Sequence, residues 1–205
     1  MSGDSGFAQG RPVPMARYFC LPARLMHWSM AVLILGMLFI GIGMVSTVTA
    51  AHRWLLRIHE PLGLLILTLA LLRLAIRIRN PAPPLPADLP GWQPIAAYVS
   101  HWLLYALMLA MPLIGWAMLS AEGFPTAIAH SLYLPAVIRP NPVVYAVLRT
   151  AHTYLGLLFF LTVIVHVGAA LHHRLVRRDG VLSSMLGVGG GEPGSVEDSE
   201  RSQPL

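Results

Sequence analysis

Four long apolar stretches dominate the distribution of hydrophobic and polar residues along this chain. Each stretch is long enough to cross the roughly 30 Å hydrocarbon core of a bilayer as a helix. The short alternating segments of a transmembrane barrel are not visible. The pattern therefore predicts an all-α fold, an integral membrane four-helix bundle, with spans at Met26–Val48, Leu62–Ile78, Ile95–Leu119 and Val143–Leu171.

The segments outside these stretches predict the domain organisation. Residues 1–17 are rich in Gly and Pro and predict a flexible amino-terminus, and the Gly-, Ser- and acid-rich residues 187–205 predict a disordered tail. A connector rich in proline, Asn80–Pro94, predicts an extended chain between the second and third spans. One membrane domain is thus predicted over residues 18–186. The role of the loop at 120–142 stays open.

Composition and charge support a membrane protein and predict its orientation. The chain is 56% hydrophobic and 11% charged, and a soluble domain carries about 25% charged residues. Its cationic side chains are all arginine, and they concentrate before the first span, at the end of the second and after the fourth. By the positive-inside rule, both termini and the middle loop lie in the cytoplasm. This distribution explains the basic pI, so no nucleic-acid partner is predicted.

The single cysteine limits the kinds of site that the chain can form alone. Cys20 excludes an intramolecular disulfide, a thiolate-rich zinc site and an iron–sulfur cluster held by this chain alone.

Histidines near the ends of the spans are the strongest candidates for chemistry. His152 and His166 are fourteen residues apart, so on one helix they share a face and lie about 21 Å apart along the axis. Ionisable side chains inside a membrane are costly, which favours a functional interpretation. Depth in the bilayer then predicts two pairs, His27 with His166 at the cytoplasmic edge and His59 with His152 at the periplasmic edge.

A small residue follows each of these four histidines by one helical turn, on the same face. A porphyrin lying against a helix needs such a residue beside its axial ligand, and the other five histidines lack one. Small residues are also common wherever membrane helices pack closely, so the pattern has a second explanation. The four pairs are His27–Ala31, His59–Gly63, His152–Gly156 and His166–Ala170.

Two histidines on facing helices suit a six-coordinate haem iron, which has no open position for oxygen and transfers electrons. Zinc prefers a compact set of four ligands, and Glu60 is the one carboxylate beside these histidines. For each histidine taken singly, the alternative to metal ligation is a structural role, in which the imidazole is bonded to a neighbouring carbonyl. The histidines therefore predict two haem sites, with His27, His59, His152 and His166 as metal ligands.

Three further cationic or ionisable residues lie near the predicted cytoplasmic site. Arg73 and Arg77 are four residues apart on one face, where they can pair with haem propionates or reach for the interface. Arg73 is the better candidate. His173 lies seven residues after His166, about 10 Å further along the same face, where it can meet a propionate or a quinone headgroup.

Several segments together resemble the bacterial cytochrome b561 family. They are Arg24-Leu25-Met26-His27-Trp28, His59-Glu60-Pro61-Leu62-Gly63, the run from Arg73 to Pro81, and His152-Thr153-Tyr154-Leu155-Gly156 followed by His166 and His172-His173. They extend over residues 17–186 in the order typical of that family.

The resemblance implies a multi-pass protein of the bacterial inner membrane with two b haems, one held by His27 and His166 and the other by His59 and His152. It implies electron relay to or from quinone, with ubiquinone as a substrate, membrane lipid around the bundle and a periplasmic electron donor. One branch of the family is associated with superoxide oxidation. An electron-transfer oxidoreductase acting on superoxide or quinol is therefore expected.

Two other functions stay open on the sequence alone. Some relatives of this family are haem-bearing membrane anchors of dehydrogenases or hydrogenases. The other open hypothesis is a histidine-dependent transporter of a transition metal, although the spans contain few of the carboxylates that such transport uses. The sequence also leaves the oligomeric state open, a homodimer included. Because Pro61 follows His59 by two residues, we expect His59 at the very start of its helix.

Overall fold

A computed structural model describes residues 19–80, 91–124, 127–129, 132–179 and 181–187. The predicted flexible amino-terminus, most of the predicted tail, the centre of the proline-rich connector and His130 lie outside these residues. Four long helices account for most of the described chain, which confirms the predicted helical membrane bundle. They are α1 (Leu21–Ser46), α2 (Ala50–Arg79), α3 (Trp92–Glu122) and α4 (Pro142–His172).

Two of the four long helices, α2 and α4, begin at a capping side chain. The side chain of Thr49 accepts a hydrogen bond from the Ala51 N–H at the start of α2. The side chain of Asn141 accepts from Val143 and Val144 at the start of α4. These bonds satisfy amide groups that have no partner inside the helix. Helices α2, α3 and α4 extend beyond the predicted spans at both ends, whereas α1 begins five residues before its predicted span and ends two residues before the predicted end, at Ser46.

The expectation that His59 opens its helix is wrong. α2 begins nine residues earlier, at Ala50, and Pro61 lies inside it. A proline removes one backbone hydrogen bond, but the apolar residues on both sides and the Thr49 cap favour helix across it. Membrane helices tolerate this loss because neighbouring groups satisfy the freed carbonyl. His59 is therefore well inside the second span.

The helices pack as two adjacent pairs. α1 packs mainly against α2 and α4 mainly against α3, with α2 and α3 also in contact, whereas α1 and α4 touch at only a few positions. The buried cluster between them is apolar, and it includes fully buried Ala70. Its members are Met30, Ile34, Ile66, Ala70, Leu107, Met108 and Phe159.

Large apolar side chains cover the outside of the bundle. Phe39 is 64% exposed and Leu157 is 57% exposed, and many similar side chains lie on the same outer surface. Water would penalise such a surface, but hydrocarbon does not. The protein is therefore an integral membrane protein, with lipid around the helices.

The two ends of the bundle differ in their connections. At one end, here called the terminal end, α1 and α3 begin and α2 and α4 end. At the other, the loop end, a two-stranded antiparallel hairpin of β1 (Ala127–Ala129) and β2 (Leu132–Tyr133) packs against α2. Trp116 Nε1 donates to the Pro135 carbonyl, 3.0 Å away, and fixes the loop that follows the hairpin. The long loop thus contains a folded segment.

A short carboxy-terminal segment closes the terminal end. α4 continues as a π-helical turn, η1 (His173–Arg177), and α5 (Val181–Leu186) then folds back onto the start of α1. Arg24 and Trp28 donate side-chain hydrogen bonds to the carbonyl of Met185, both 3.3 Å long. These bonds place α5 beside His27.

Candidate functional site

His59 and His152 lie together near the loop end. Their rings come from α2 and α4, with centroids 6.1 Å apart and an interplanar angle of 66°. The structure thus brings together the two histidines that were paired by predicted depth. Neither side chain faces open solvent, and both are partly buried in the bundle.

His27 and His166 form a second pair near the terminal end. Their rings come from α1 and α4, with centroids 6.4 Å apart and an interplanar angle of 67°. The two pairs therefore have almost the same geometry, and each takes one ring from α4. Because α1 and α4 touch at few positions, the His27–His166 approach is one of the main links between them.

The ring spacing of both pairs fits a metal ion between two imidazoles. Metal–nitrogen bonds are about 2 Å long, and the ring centre lies about 1 Å beyond the ligating nitrogen, so two rings on opposite sides of one iron have centroids roughly 6 Å apart. This spacing is too long for stacked rings in contact. It suits two histidines that would hold one haem iron between them.

Unpartnered nitrogen atoms also fit a bound group at the loop end. The Nδ1 atoms of His59 and His152 are buried and make no hydrogen bond within the described part of the chain. Buried polar atoms without partners are rare in folded proteins and call for an explanation. Ligation of a metal ion by these nitrogen atoms would supply the missing partner.

Helix α3 supplies the space that His152 needs. A Cβ added to Gly115 would lie 3.4 Å from Cε1 of the His152 ring, so the ring packs directly against the α3 backbone. A Cβ at Gly156 would lie 3.4 Å from the flexible end of Met111. Gly115 was not identified from the sequence, because its role depends on the helix opposite His152.

Two arginines of α2 lie beside the terminal pair. The Arg73 NH2 group is 2.9 Å from Nδ1 of His27, and its guanidinium also lies over the ring of Tyr105, 5.9 Å from the centroid. Arg77 lies over the ring of Phe19 at 5.7 Å. The NH1 atoms of both arginines are buried without a hydrogen-bond partner in the described chain. This is a cationic cluster able to bind carboxylates.

A third histidine reaches the terminal pair. The ring of His101, from α3, lies 5.5 Å from that of His166, closer than the ring of His27 does. His101 is more exposed than the other two. The sequence placed it at the correct depth, but the small-residue criterion set it aside because Tyr105 follows it by one turn. Its proximity to His166 is a feature that the sequence reasoning missed.

His173 lies in a separate group on η1. Its Nδ1 atom is 2.5 Å from Oδ2 of Asp179, and Arg177 Nε binds the same oxygen at 3.1 Å. Burial alone would raise the pKa of the Asp179 carboxyl. Hydrogen bonds from His173, the Val181 N–H and Arg177 outweigh this effect and hold the pKa below its ordinary value. His173 is thus bound to the carboxylate that follows η1.

Across the described residues, no three His, Cys, Asp or Glu side chains are placed to hold a metal ion together. The two histidine pairs therefore offer two protein ligands each. A haem, which supplies four nitrogens of its own, needs just that number. The donor sets fit haem better than zinc, which usually takes at least three protein ligands.

Comparison with known proteins agrees with this geometry. The sequence model of the family described as prokaryotic cytochrome b561 matches residues 18–188. The probable superoxide oxidase CybB of Yersinia pestis is 33% identical over 136 residues, which cover 65% of this chain and 75% of that protein. Cytochrome b561 homolog 1 of Escherichia coli K12 is 32% identical over 129 residues, covering 62% and 72%. Cytochrome b561 homolog 2 of the same organism is 27% identical over 165 residues, covering 78% and 87%.

The family model spans the whole described bundle, and its range includes all four paired histidines. The chain therefore belongs to the prokaryotic cytochrome b561 family of membrane electron-transfer proteins, which carry b-type haem.

Proposed function

We propose that this protein holds two b haems and relays single electrons across the bacterial inner membrane between a donor at the loop end and quinone at the terminal end. The main support for this proposal is that the two histidine pairs have nearly the same geometry. Their ring centroids are 6.1 and 6.4 Å apart, at opposite ends of the bundle. Helix α4 contributes one ring to each pair, so the two sites are held about 21 Å apart along one rigid element.

The four histidines would hold the iron atoms and exclude other ligands. His27 with His166 would hold one haem iron and His59 with His152 the other, and an iron held by two histidines would transfer electrons and leave no position for oxygen. The haem, when bound, supplies the one-electron redox change. The protein supplies spacing, burial and hydrogen bonds that tune the potential.

Arg73 is proposed as a propionate partner at the terminal end. Its NH1 atom is buried and unpartnered within the described residues, and it adjoins His27. A charge-assisted bond to a carboxylate would satisfy this atom. Arg77, with the same kind of unpartnered NH1, is the second candidate.

His173 is proposed as a contact for the quinone headgroup or a propionate. The carboxylate of Asp179 accepts a hydrogen bond from Nδ1 of His173. A neutral imidazole held in this way presents Nε2 as an acceptor. Such an acceptor suits the hydroxyl of a quinol near the terminal end.

The donor proposed for the loop end is superoxide, because one relative carries the name probable superoxide oxidase. In the balanced reaction, two superoxide anions each lose one electron to give two O₂, and one quinone takes two electrons and two protons to give quinol. With the arginine distribution placing the terminal end in the cytoplasm, the donor acts from the periplasm.

Spectral titration of the purified, haem-loaded protein tests this proposal. Quinol should reduce the haems in the absence of other donors, and a superoxide generator should reduce them in a manner that superoxide dismutase abolishes. The anchor-subunit alternative predicts that neither quinol nor superoxide reacts with the isolated chain. Absence of both reactions in a preparation with full haem content would contradict the proposed relay.

A further inference from the structure

A groove at the terminal end, distinct from both histidine pairs, lies between η1 and α5. It has a volume of about 370 Å³, and its lining combines cationic, hydroxyl and apolar groups. The membrane-spanning part of α4 and η1 ends at Arg177, so the groove lies at the boundary between hydrocarbon and water. Its lining residues are Arg174, Leu175, Arg178, Leu182 and Ser183.

Among the described residues, no ion pair neutralises the positive charge of this groove. Asp179 is the nearest acid in the sequence, and its carboxylate is already bound by His173 and Arg177. Its side chain is only 8% exposed. Arg174 and Arg178 are both exposed, and neither has an ion pair among the residues that the structure describes. Two guanidinium groups are therefore available to an external anion.

The backbone and one hydroxyl group hold these arginines at the groove. Arg178 adopts a left-handed conformation with φ of 54°, which ends η1 and turns the chain toward α5. Arg174 NH1 donates to the Ser183 hydroxyl on α5, 3.4 Å away. Guanidinium groups bind phosphate oxygens through paired N–H bonds, and a hydroxyl adds a further donor. This combination suits a phosphate.

The apolar part of the lining distinguishes a lipid from a free phosphate. Leu175 is 66% exposed and continues the lipid-facing surface of α4, while Leu182 lies on the α5 side. An inorganic phosphate would leave both leucines in contact with water. A phospholipid can place its phosphate between the arginines and its acyl chains along these leucines.

We propose that the groove between η1 and α5 is a binding site for an anionic phospholipid, with Arg174, Arg178 and Ser183 binding the phosphate. The site holds α5 against the end of α4, on the same side of the molecule as the His27–His166 pair. Basic pockets between membrane helices on the cytoplasmic side commonly take such headgroups.

The test measures binding of phosphatidylglycerol to the full-length, delipidated protein by native mass spectrometry. The double variant R174Q/R178Q should bind phosphatidylglycerol roughly thirtyfold more weakly, since each arginine near an anionic lipid contributes about fivefold. Binding of phosphatidylcholine should change little. The Ser183→Ala variant should lose a smaller, few-fold part of the affinity.

The matched control is R53Q/R57Q, which removes two exposed arginines from the loop end. This control should lose less than about twofold, because those arginines lie at the opposite end of the bundle from the groove. Equal loss in the control and the double variant would overturn the proposal, as would unchanged affinity in the double variant. Displacement of the lipid by millimolar inorganic phosphate would also overturn it, since the site would then be one for small anions.

Folding is checked independently of haem. If R174Q/R178Q loses helical circular dichroism, R174K/R178K replaces it, because lysine keeps the charge but not the paired N–H geometry. The lysine variant should bind phosphatidylglycerol several-fold more weakly than the native protein. Affinity equal to the native value would contradict the assigned guanidinium contacts.

Discussion

The rings of His59 and His152 lie 6.1 Å apart, a spacing that leaves room for one metal ion between them. The terminal end repeats this arrangement with rings 6.4 Å apart. Because α4 contributes one ring at each end, this one helix sets the distance between the two sites.

Replacing one histidine should affect only the haem that its own pair is proposed to hold. His59→Ala and His152→Ala should give the same altered spectrum and keep the haem at the terminal end, since each removes one axial ligand from the same iron. His27→Ala should instead resemble His166→Ala. Redox-difference spectra of the four variants measure this pairing.

His101 supplies the sharpest check on that pairing. Its ring lies 5.5 Å from that of His166, yet we predict that His101→Ala keeps both haems, because it lacks the small neighbour of the other four histidines. His52→Ala is the matched control, since its Nδ1 is 3.0 Å from the Met44 carbonyl, away from the pairs. If His101→Ala loses a haem and His27→Ala does not, His101 is the ligand.

Removing the Arg73 guanidinium should weaken the terminal site alone. Arg73→Gln loses the contact with His27 and the proposed propionate bond, and groups of this kind commonly contribute about tenfold or more to affinity for the bound metal group. We expect faster transfer of one haem to apomyoglobin and a lower potential for that haem. Arg79→Gln, an exposed residue of the same helix, is the control. Equal effects on both haems would contradict the assignment.

A bulky residue at Gly115 should displace His152. A Cβ there would already be 3.4 Å from the ring, so Gly115→Leu should remove the haem at the loop end and leave the other in place. Gly36→Leu is the matched control, because no atom lies within 4 Å of a Cβ at that exposed position. Full haem content in Gly115→Leu would show that the ring can move aside without loss of binding.

The Asp179 carboxylate should stabilise the η1 turn in a pH-dependent way. Its folded-state pKa is lowered, so its contribution is fully present above the unfolded pKa of about 4 and disappears as pH falls through the folded pKa. At neutral pH, Asp179→Asn should reduce the free energy of unfolding by about 1 kcal/mol.

The thermal unfolding midpoint of the native protein and of Asp179→Asn, measured from pH 7 downward, tests this prediction. The two midpoints should converge below about pH 4. Glu122→Gln, at an exposed acid near the loop end, should show no comparable difference. A difference that grows on acidification would have the wrong sign.

The hydrophobic pattern was sufficient to predict four membrane helices, because each span is long and strongly apolar. Depth along the spans was likewise sufficient to pair His27 with His166 and His59 with His152. Their approach in space supports that pairing, while ligation itself stays a prediction. The prediction of the spans and the pairing of the histidines both need only the depth of each residue in the membrane.

Depth along the spans could not predict which residues of neighbouring helices lie beside one another. Gly115 and His101 lie near paired histidines only because α3 packs against α4, and no local pattern encodes that packing. The predicted start of α2 was wrong because Pro61 was taken as a helix boundary, whereas the helix continues through this proline. The position of α5 depends on tertiary hydrogen bonds from Arg24 and Trp28.

The most direct measurement of the central claim is the haem content of the full chain, purified from cells with ample haem and assayed as the pyridine haemochrome against protein mass. The account predicts two b haems per chain, and one in each of the His152→Ala and His166→Ala variants. A folded, helical preparation with no haem, or with a single haem that both variants retain, would contradict it.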